Sequence, residues 1–216
     1  MCQSTVMLRK LPIVAIFGHG SGVSAERGRL ASAAGALVAR LGAHLLTGAG
    51  YGVMAAAAEG FVAVTERQGL SIGIVPCQPD GPFDVANRDP DGRAYPNPFI
   101  KITVMTPLPP RSEAWRTTPT RNHVNVLTAN AILALPGNAG TRNELTMAAF
   151  YRGESARRPD ERHTVLLGPA EEFTQDDLSR FVHAANLTEA EDHLRRILSR
   201  RSALPTVGAM RDRVET

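Results

Sequence analysis

The sequence predicts an α/β fold built on a doubly wound parallel sheet. Short runs of β-branched and other apolar residues alternate with alanine-rich segments of helical length, a pattern typical of a parallel sheet covered by helices on both faces. The chain has 216 residues, 43% of them hydrophobic, which is enough to fill one such core. We therefore expect a single Rossmann-like domain over residues 11–200, with an N-terminal tail at 1–10 and a basic C-terminal tail at 201–216.

The elements follow in order along the chain. The apolar runs predict strands at 13–18, 44–48, 71–76, 99–106, 131–137 and 163–168, and a seventh short strand at 181–185. The segments between them predict helices at 25–41, 53–68, 119–127 and 141–152. A last helix is expected to follow Thr188, which would act as its N-cap ahead of acidic residues in the first turn.

Three glycine-rich turns follow predicted strands. Right-handed crossovers place such strand-to-helix turns at the carboxyl edge of the sheet, where open α/β folds bind ligands. Glycine permits positive φ and lets backbone N–H groups approach a ligand closely, and the next helix start adds unpaired donors, so these turns predict a phosphate cradle. The turns are "GHGSGVS", "TGAGYGVM" and "PGNAGTRNE", and the residues we expect to bind the ligand are Gly18, Gly20, Ser21, Gly48, Gly50, Gly137, Asn138, Gly140 and Thr141.

The turns do not match the fingerprint of a classical dehydrogenase. "GHGSGVS" lacks the GxGxxG spacing, no Walker lysine follows, and the second strand does not end in the acidic residue that would hold an NAD ribose. The third and fourth strands open instead into long proline-rich segments, of the length usual for lids or binding loops. We expect no cofactor.

Arg121 and Glu144 are the candidate catalytic residues. Arg121 is predicted at the start of one helix and Glu144 in the first turn of the next, both at the carboxyl edge. An arginine and a carboxylate beside a phosphate cradle suit a ribosyl phosphate, with the arginine on the phosphate or leaving base and the glutamate on the ribose or attacking water. The alternatives are a surface arginine and a capping carboxylate partnered by Thr141.

Other polar and aromatic residues give weaker signals. His19, in the first glycine turn, is the histidine with a plausible ligand role, and Trp115 could either stack on a base or pack its own loop. Cys2 and Cys77 have no CxxC or Cys/His spacing, so we expect neither a disulfide nor a metal site. The chain lacks an eighteen-residue apolar stretch and a signal-peptide core, which predicts a cytoplasmic protein without membrane contact.

The charge balance gives little support for nucleic-acid binding. The net charge is only +3, and the basic residues cluster late, at Arg195, Arg196, Arg200, Arg201, Arg211 and Arg213. A short basic tail without interleaved aromatic residues is more often a solvated helix face than a nucleic-acid site.

The motifs resemble those of the Lonely Guy phosphoribohydrolases, long labelled lysine decarboxylases. "PGNAGTRNE" is similar to their PGGxGTxxE motif, "LLTGAGYGVMAAAAEG" to their GGGxxGLMG segment, and Arg121 stands where their MxxRK motif has its arginine. The likeness covers roughly residues 11–170. It implies a nucleotide-binding domain that cleaves the N-glycosidic bond of nucleoside 5′-monophosphates with Arg121 and Glu144. The segments "ELTMAAFYRG" and "VMAAAAEGFVAV" are richer in apolar residues than one-sided helices need. Together with the resemblance, they predict a homo-oligomer, dimer or tetramer, packed through helices of this kind.

Two departures bring the chain closer to a sister branch. Asn122 replaces the lysine and Asn138 the second motif glycine. "TRN" with "PGNAGT" is similar to the molybdenum-cofactor carrier proteins, which bind a phosphorylated pterin without turnover. Two hypotheses therefore stand: a phosphoribohydrolase that uses no metal, and a non-catalytic carrier or sensor of a phosphorylated small molecule. A third, single-stranded DNA binding as in the related DNA-processing A proteins, is weaker because few basic residues lie near the cradle.

Overall fold

Along the part of the chain that the structure describes, seven strands are interspersed with six α-helices. The computed structural model describes residues 10–76, 88, 91–154, 157–158 and 161–202. The strands are β1 Ile13–Phe17, β2 His44–Thr47, β3 Ser71–Pro76, β4 Ile102–Thr106, β5 Ala131–Ala134, β6 Thr164–Leu167 and β7 Val182–Ala184. The helices are α1 Ala25–Arg40, α2 Val53–Ala63, α3 Arg121–Thr128, α4 Ala139–Tyr151, α5 Gln175–Arg180 and α6 Leu187–Ser202.

The strands form one parallel sheet, in the order β4-β3-β2-β1-β5-β6-β7. Alternate residues of β1 enter two cores: Val14 and Ile16 pack with α1, α2 and α6, whereas Ala15 and Phe17 pack with α3 and α4. Both faces are thus covered, and the predicted single-domain, doubly wound α/β fold is confirmed. The chain leaves β1 toward β4 and returns to β5 beside β1, which makes the β1–β5 junction a topological switch point.

Several predicted boundaries were wrong by a few residues. β4 begins at Ile102 rather than at 99, because Phe99 and Lys101 bond Ser71 in a bend instead of joining the ladder. α2 ends at Ala63, because the Arg67 guanidinium donates hydrogen bonds to the Val62 and Val64 carbonyls. The helix 170–172, a single 3₁₀ turn, and α5 were not predicted.

The last helix begins two residues earlier than expected. Thr188 was predicted as its N-cap, but α6 starts at Leu187, and Asn186 Oδ1 accepts the Glu189 amide at 3.0 Å. The Glu189 carboxylate returns the contact by accepting the Ala185 amide. This reciprocal pair satisfies two amides at the helix start, which is why the cap falls on the asparagine.

Some sequence predictions lie outside the described residues. These are the N-terminal tail up to residue 9, Cys2, Cys77, most of the segment between β3 and Asp91, and the basic tail from 203 onward. In the described part of the chain, no helix is long and apolar enough to cross a membrane.

Candidate functional site

A pocket of about 470 Å³ opens at the switch point, beyond the carboxyl ends of β1, β2 and β5. Its volume lies in the range of small-molecule and cofactor sites. The lining residues are Ile16, Phe17, Gly18, Gly20, Gly48, Met54, Arg88, Tyr95, Pro110, Arg111, Arg121, Asn122, Asn138, Gly140, Thr141 and Glu144. The structure therefore brings both candidate catalytic residues and most of the predicted ligand-binding residues together.

Arg121 is the first residue of α3 and only 8% exposed. Thr120 caps the helix in a box with His123, and the Arg121 amide donates to the Pro109 carbonyl, which fixes the start of α3 against the proline-rich loop. Its Nε and Nη1 are buried and have no hydrogen-bond partner among the described residues. The alternative of a surface arginine is thus wrong, because the guanidinium is buried.

Gly48 explains how the Arg121 guanidinium fits against β2. A Cβ built on Gly48 would overlap Arg121 Nη1, so only glycine leaves room for the guanidinium at the end of this strand. The sequence predicted that glycine here lets a ligand approach the backbone, whereas the group that approaches Gly48 in the structure is the Arg121 side chain.

Glu144 lies on α4, faces the same pocket and is 8% exposed. Asn125 Nδ2 donates to its Oε1 at 3.0 Å, and no ion pair within 4.0 Å joins it to Arg121, although both residues are described. Burial raises the pKa of Glu144 to about 7, while the Arg121 charge and the Asn125 hydrogen bond act in the opposite direction. Near neutral pH this carboxyl is present in both protonation states.

The predicted place of Glu144 in the first turn of its helix is wrong. α4 begins at Ala139, two residues earlier than expected, which puts Glu144 in the second turn. Asn138 is the N-cap, and its Oδ1 accepts the Gly140 amide at 3.0 Å. The capping role considered for Glu144 therefore belongs to Asn138, and the carboxylate is left to the pocket.

The corner at residues 137–141 is only partly open as an anion cradle. Asn138 Oδ1 already takes the Gly140 amide, so an anion there would use the Ala139 and Thr141 amides or displace the Asn138 side chain. Thr141 Oγ1 is buried without a partner among the described residues, directly against Gly137. The hydroxyl and the remaining amides give the corner its capacity for an oxyanion.

Three predicted ligand residues do not line the pocket. Ser21 turns its amide to His19 Nδ1 at 3.3 Å, Gly137 packs under Thr141, and Gly50 lies beside Met54 and Tyr95. His19 itself, the histidine favoured as a ligand, is also outside the lining. In the glycine turns the positive-φ residues are Gly22, Ala49 and Gly52, none of which was predicted to bind ligand.

The sequence analysis missed several lining residues that come from other parts of the chain. Met54 follows the second glycine turn, Tyr95 and Arg88 come from the segment after β3, and Arg111 from the loop after β4. The two loops were recognised as lids or binding loops from their length and prolines, but nothing in their local pattern identified these side chains. Arg88 and Arg111 are exposed and add positive charge to the pocket rim.

Trp115 does not line the pocket and packs against α3 and α4. Its ring contacts His123, Phe150 and Tyr151 at centroid distances between 5.5 and 6.3 Å. The packing that was predicted within the loop therefore extends to the two helices. Among the residues described by the structure, no group of three His, Cys, Asp or Glu side chains could hold a metal ion.

Comparison with known proteins identifies a family and a shared fold. Residues 11–155 match the SLOG cluster4 family, within a superfamily that includes Lonely Guy-like proteins. The molybdenum cofactor binding protein from the phototrophic bacterium Rippkaea orientalis is 23% identical, with a TM-score of 0.62, covering 87% of this chain and 98% of its own. No curated protein matches the sequence.

Two further structures have the same fold. The molybdenum cofactor carrier protein from Chlamydomonas reinhardtii is 24% identical over 88% of this chain and 99% of its own, with a TM-score of 0.63. DNA processing protein A from Helicobacter pylori is 13% identical over 86% and 80%, with a TM-score of 0.56. At these identities the similarity establishes the fold alone.

Proposed function

This chain belongs to the SLOG cluster4 family, and from that premise and the pocket geometry we propose that it binds a phosphorylated small molecule. The ligand class is nucleotide-like or pterin-like, and its phosphate is held at the carboxyl edge of the sheet between Arg121 and the corner at 137–141. The pocket volume of about 470 Å³ accommodates a ligand of this size.

The buried, unpaired guanidinium of Arg121 is the observation that carries the proposal. Removing a cation from water without a partner is costly, and buried charges in proteins are as a rule paired. Here Nε and Nη1 have no partner among the described residues and the side chain faces the pocket. A phosphate would supply the missing anion in a charge-assisted contact.

Hydrolysis of an N-glycosidic bond is a second candidate function, favoured by Glu144. In that reaction the bond between ribose C1′ and the base breaks, water adds at C1′, and the base leaves with a proton. A carboxyl with a pKa of about 7, in the same pocket as the arginine, can accept a proton from the water in its ionised form. The products are the free base and ribose 5-phosphate.

A carrier without turnover uses the same pocket. The molybdenum-cofactor proteins with this fold are named for binding or carrying the cofactor. In this chain Asn122 and Asn138 stand where the phosphoribohydrolase motifs have lysine and glycine, which favours the carrier. Single-stranded DNA binding is a weaker proposal, because the pocket lining has few basic residues. They are Arg88, Arg111 and Arg121.

Binding is tested with a panel of nucleoside 5′-monophosphates and inorganic phosphate in isothermal titration calorimetry. We expect Arg121→Ala to weaken binding by about 10- to 100-fold, the value of one charge-assisted contact of roughly 1.5 to 3 kcal/mol. The exposed Arg29 on α1 gives a matched control, and Arg29→Ala should leave affinity unchanged. Equal binding by both variants would contradict the proposed role of Arg121, and a mass spectrum of any ligand that co-purifies would identify its class.

Turnover is tested by chromatographic detection of free base with the same panel. Glu144→Gln preserves shape but removes the charge, so an enzyme should lose about 10²-fold or more in rate while affinity changes little. Absence of free base with every nucleotide that binds supports the carrier function. A measured rate that survives Glu144→Gln would remove Glu144 from the mechanism.

A further inference from the structure

Asn125 is a buried side-chain amide with only one of its two ends paired. It lies on α3 four residues after Arg121 and is 0% exposed. Its Nδ2 donates to Glu144 Oε1 at 3.0 Å, whereas its Oδ1 is buried with no partner among the described residues. Burying a side-chain carbonyl without a hydrogen-bond partner costs folding free energy. This cost indicates that Asn125 has a role beside Glu144 other than packing.

The two ends of the amide suit the two protonation states of Glu144. An ionised carboxylate accepts hydrogen bonds only, and the Nδ2 donor matches it; a carboxylic acid also donates, and the Oδ1 acceptor matches that. Rotation of the amide by a half turn about Cβ–Cγ exchanges the two ends without moving α3. Asn125 can therefore keep a partner on Glu144 in both states.

We propose that Asn125 is the positioning residue that fixes the orientation of the Glu144 carboxyl and sets the pH at which it takes up a proton. The inference rests on the proposed function, since it assigns to Glu144 the carboxyl that serves the ligand. Because Asn125 engages Oε1, Oε2 is the oxygen left for a ligand in the pocket.

The charges around Glu144 define what Asn125 must do. Arg121, on the same helix as Asn125, favours the carboxylate, and Arg88, Arg111 and Tyr95 are the other ionisable groups in the pocket lining. On its own helix, Arg142 is exposed two residues earlier. Burial opposes the carboxylate, so the Nδ2 hydrogen bond keeps the titration of Glu144 lower than burial alone would set it.

The titration of Glu144 is measured by NMR on the full chain without ligand, with glutamate labelled at the side-chain carboxyl carbon. Asn125→Leu should move the Glu144 midpoint upward by about one pH unit, as expected when a buried carboxylate loses one donor. Asn122→Leu is the matched control, because Asn122 is a buried amide on the same helix whose Nδ2 bonds Asn143 instead. An unmoved midpoint in Asn125→Leu, or an equal shift in both variants, overturns the proposal.

A second measurement needs no change at Asn125, in case its variant fails to fold. In the unsubstituted protein the Asn125 side-chain amide signals should titrate with the same midpoint as Glu144, and in Glu144→Gln they should not titrate. Amide signals that ignore the Glu144 titration overturn the proposal as well. Both readouts use ligand-free protein, so a failure here is distinct from a failure of nucleotide or phosphate binding, which Arg121→Ala tests separately.

Discussion

At the scale of single residues, the pocket concentrates charge that folding alone would not favour. Arg121 and Glu144 are each 8% exposed and are not joined by an ion pair. By contrast, the buried Glu154 is fully engaged: it accepts from the His163 amide and the Thr164 hydroxyl, and Arg152 lies at 3.5 Å. The buried Glu154 carboxylate thus has an ion pair and two donors, whereas Glu144 has one donor, Asn125 Nδ2, among the described residues.

Glu144→Gln should stabilise the ligand-free protein at alkaline pH. The pKa of Glu144 is about 7 in the folded state, against 4.5 for an ordinary glutamate side chain in water. The folded protein therefore binds more protons than the unfolded chain between these two values, and stability falls as pH rises through that window. The variant lacks this loss. Above pH 7 its free energy of unfolding should exceed that of the unsubstituted protein by up to about 3 kcal/mol, since each pH unit of the window contributes roughly 1.4 kcal/mol. Below pH 4.5 this difference should vanish.

Urea unfolding at pH 4.5, 6 and 8 provides the free energies of unfolding for this comparison. A stability difference that is constant across these pH values would show that Glu144 does not titrate in the window, and the explanation from burial would then be wrong. The test is independent of any ligand.

At the scale of elements, the closeness of α1 and α2 depends on glycine. A Cβ on Gly35 of α1 would overlap the Ala57 carbonyl of α2, and a Cβ on Gly60 would overlap the Ser32 carbonyl. The alanine-rich sequences of both helices predict helix, yet these two glycines are what lets the backbones approach. Because α2 starts directly after the second glycine turn, this packing also positions that wall of the pocket.

Gly60→Ala and Gly28→Ala should change stability in opposite directions. At Gly60 the added methyl must push the helices apart, at a cost of about 1 to 3 kcal/mol. Gly28 lies in α1, where an added Cβ would meet no atom within 4 Å. Alanine there should raise the free energy of unfolding by about 0.5 to 1 kcal/mol through its helix propensity. Thermal or urea unfolding of the two variants is sufficient, and destabilisation of both by the same amount would contradict the packing argument.

At the scale of the whole molecule, part of the apolar surface is left uncovered in one chain. Leu127 at the end of α3 is 58% exposed and Phe150 at the end of α4 is 56% exposed, with Tyr151 beside them at 39%. The expectation of a homo-oligomer rests on the apolar content of the α2 and α4 sequences and on the family resemblance. The exposed end of α4 locates a surface through which such an assembly would pack.

A homo-oligomer stays a prediction, and light scattering measures it. At micromolar concentration the mass should be a multiple of the 23.2 kDa of one chain. Phe150→Glu should shift it toward the single-chain value, because a buried charge in an apolar interface is costly. A mass near 23.2 kDa for the unsubstituted protein would exclude the assembly.

Much of the fold was predictable because it depends on local sequence patterns. Alternating apolar and alanine-rich segments determine a parallel sheet with helices on both faces, and right-handed crossovers then bring all the strand-to-helix turns to one edge. From the sequence alone it followed that Arg121, Glu144 and the glycine turns would meet there. Predicted helix boundaries were wrong where a distant side chain or an N-cap determines the end of the element. Asn138 caps α4 and Asn186 caps α6, and neither was predicted as a cap.

Only the tertiary structure decided the chemistry of the pocket. Two contacts join residues distant in sequence, and no local pattern encodes them. They are the hydrogen bond from Asn125 to Glu144 and the packing of the Arg121 guanidinium against Gly48. The same holds for the pKa of Glu144, which follows from burial and from the charges around it rather than from its neighbours in sequence. The sequence by itself determined which residues reach the carboxyl edge. Folding determined that the arginine there is buried, with no hydrogen-bond partner for Nε and Nη1 among the described residues, and that the pKa of the carboxyl is about 7, because desolvation exists only once the chain has packed.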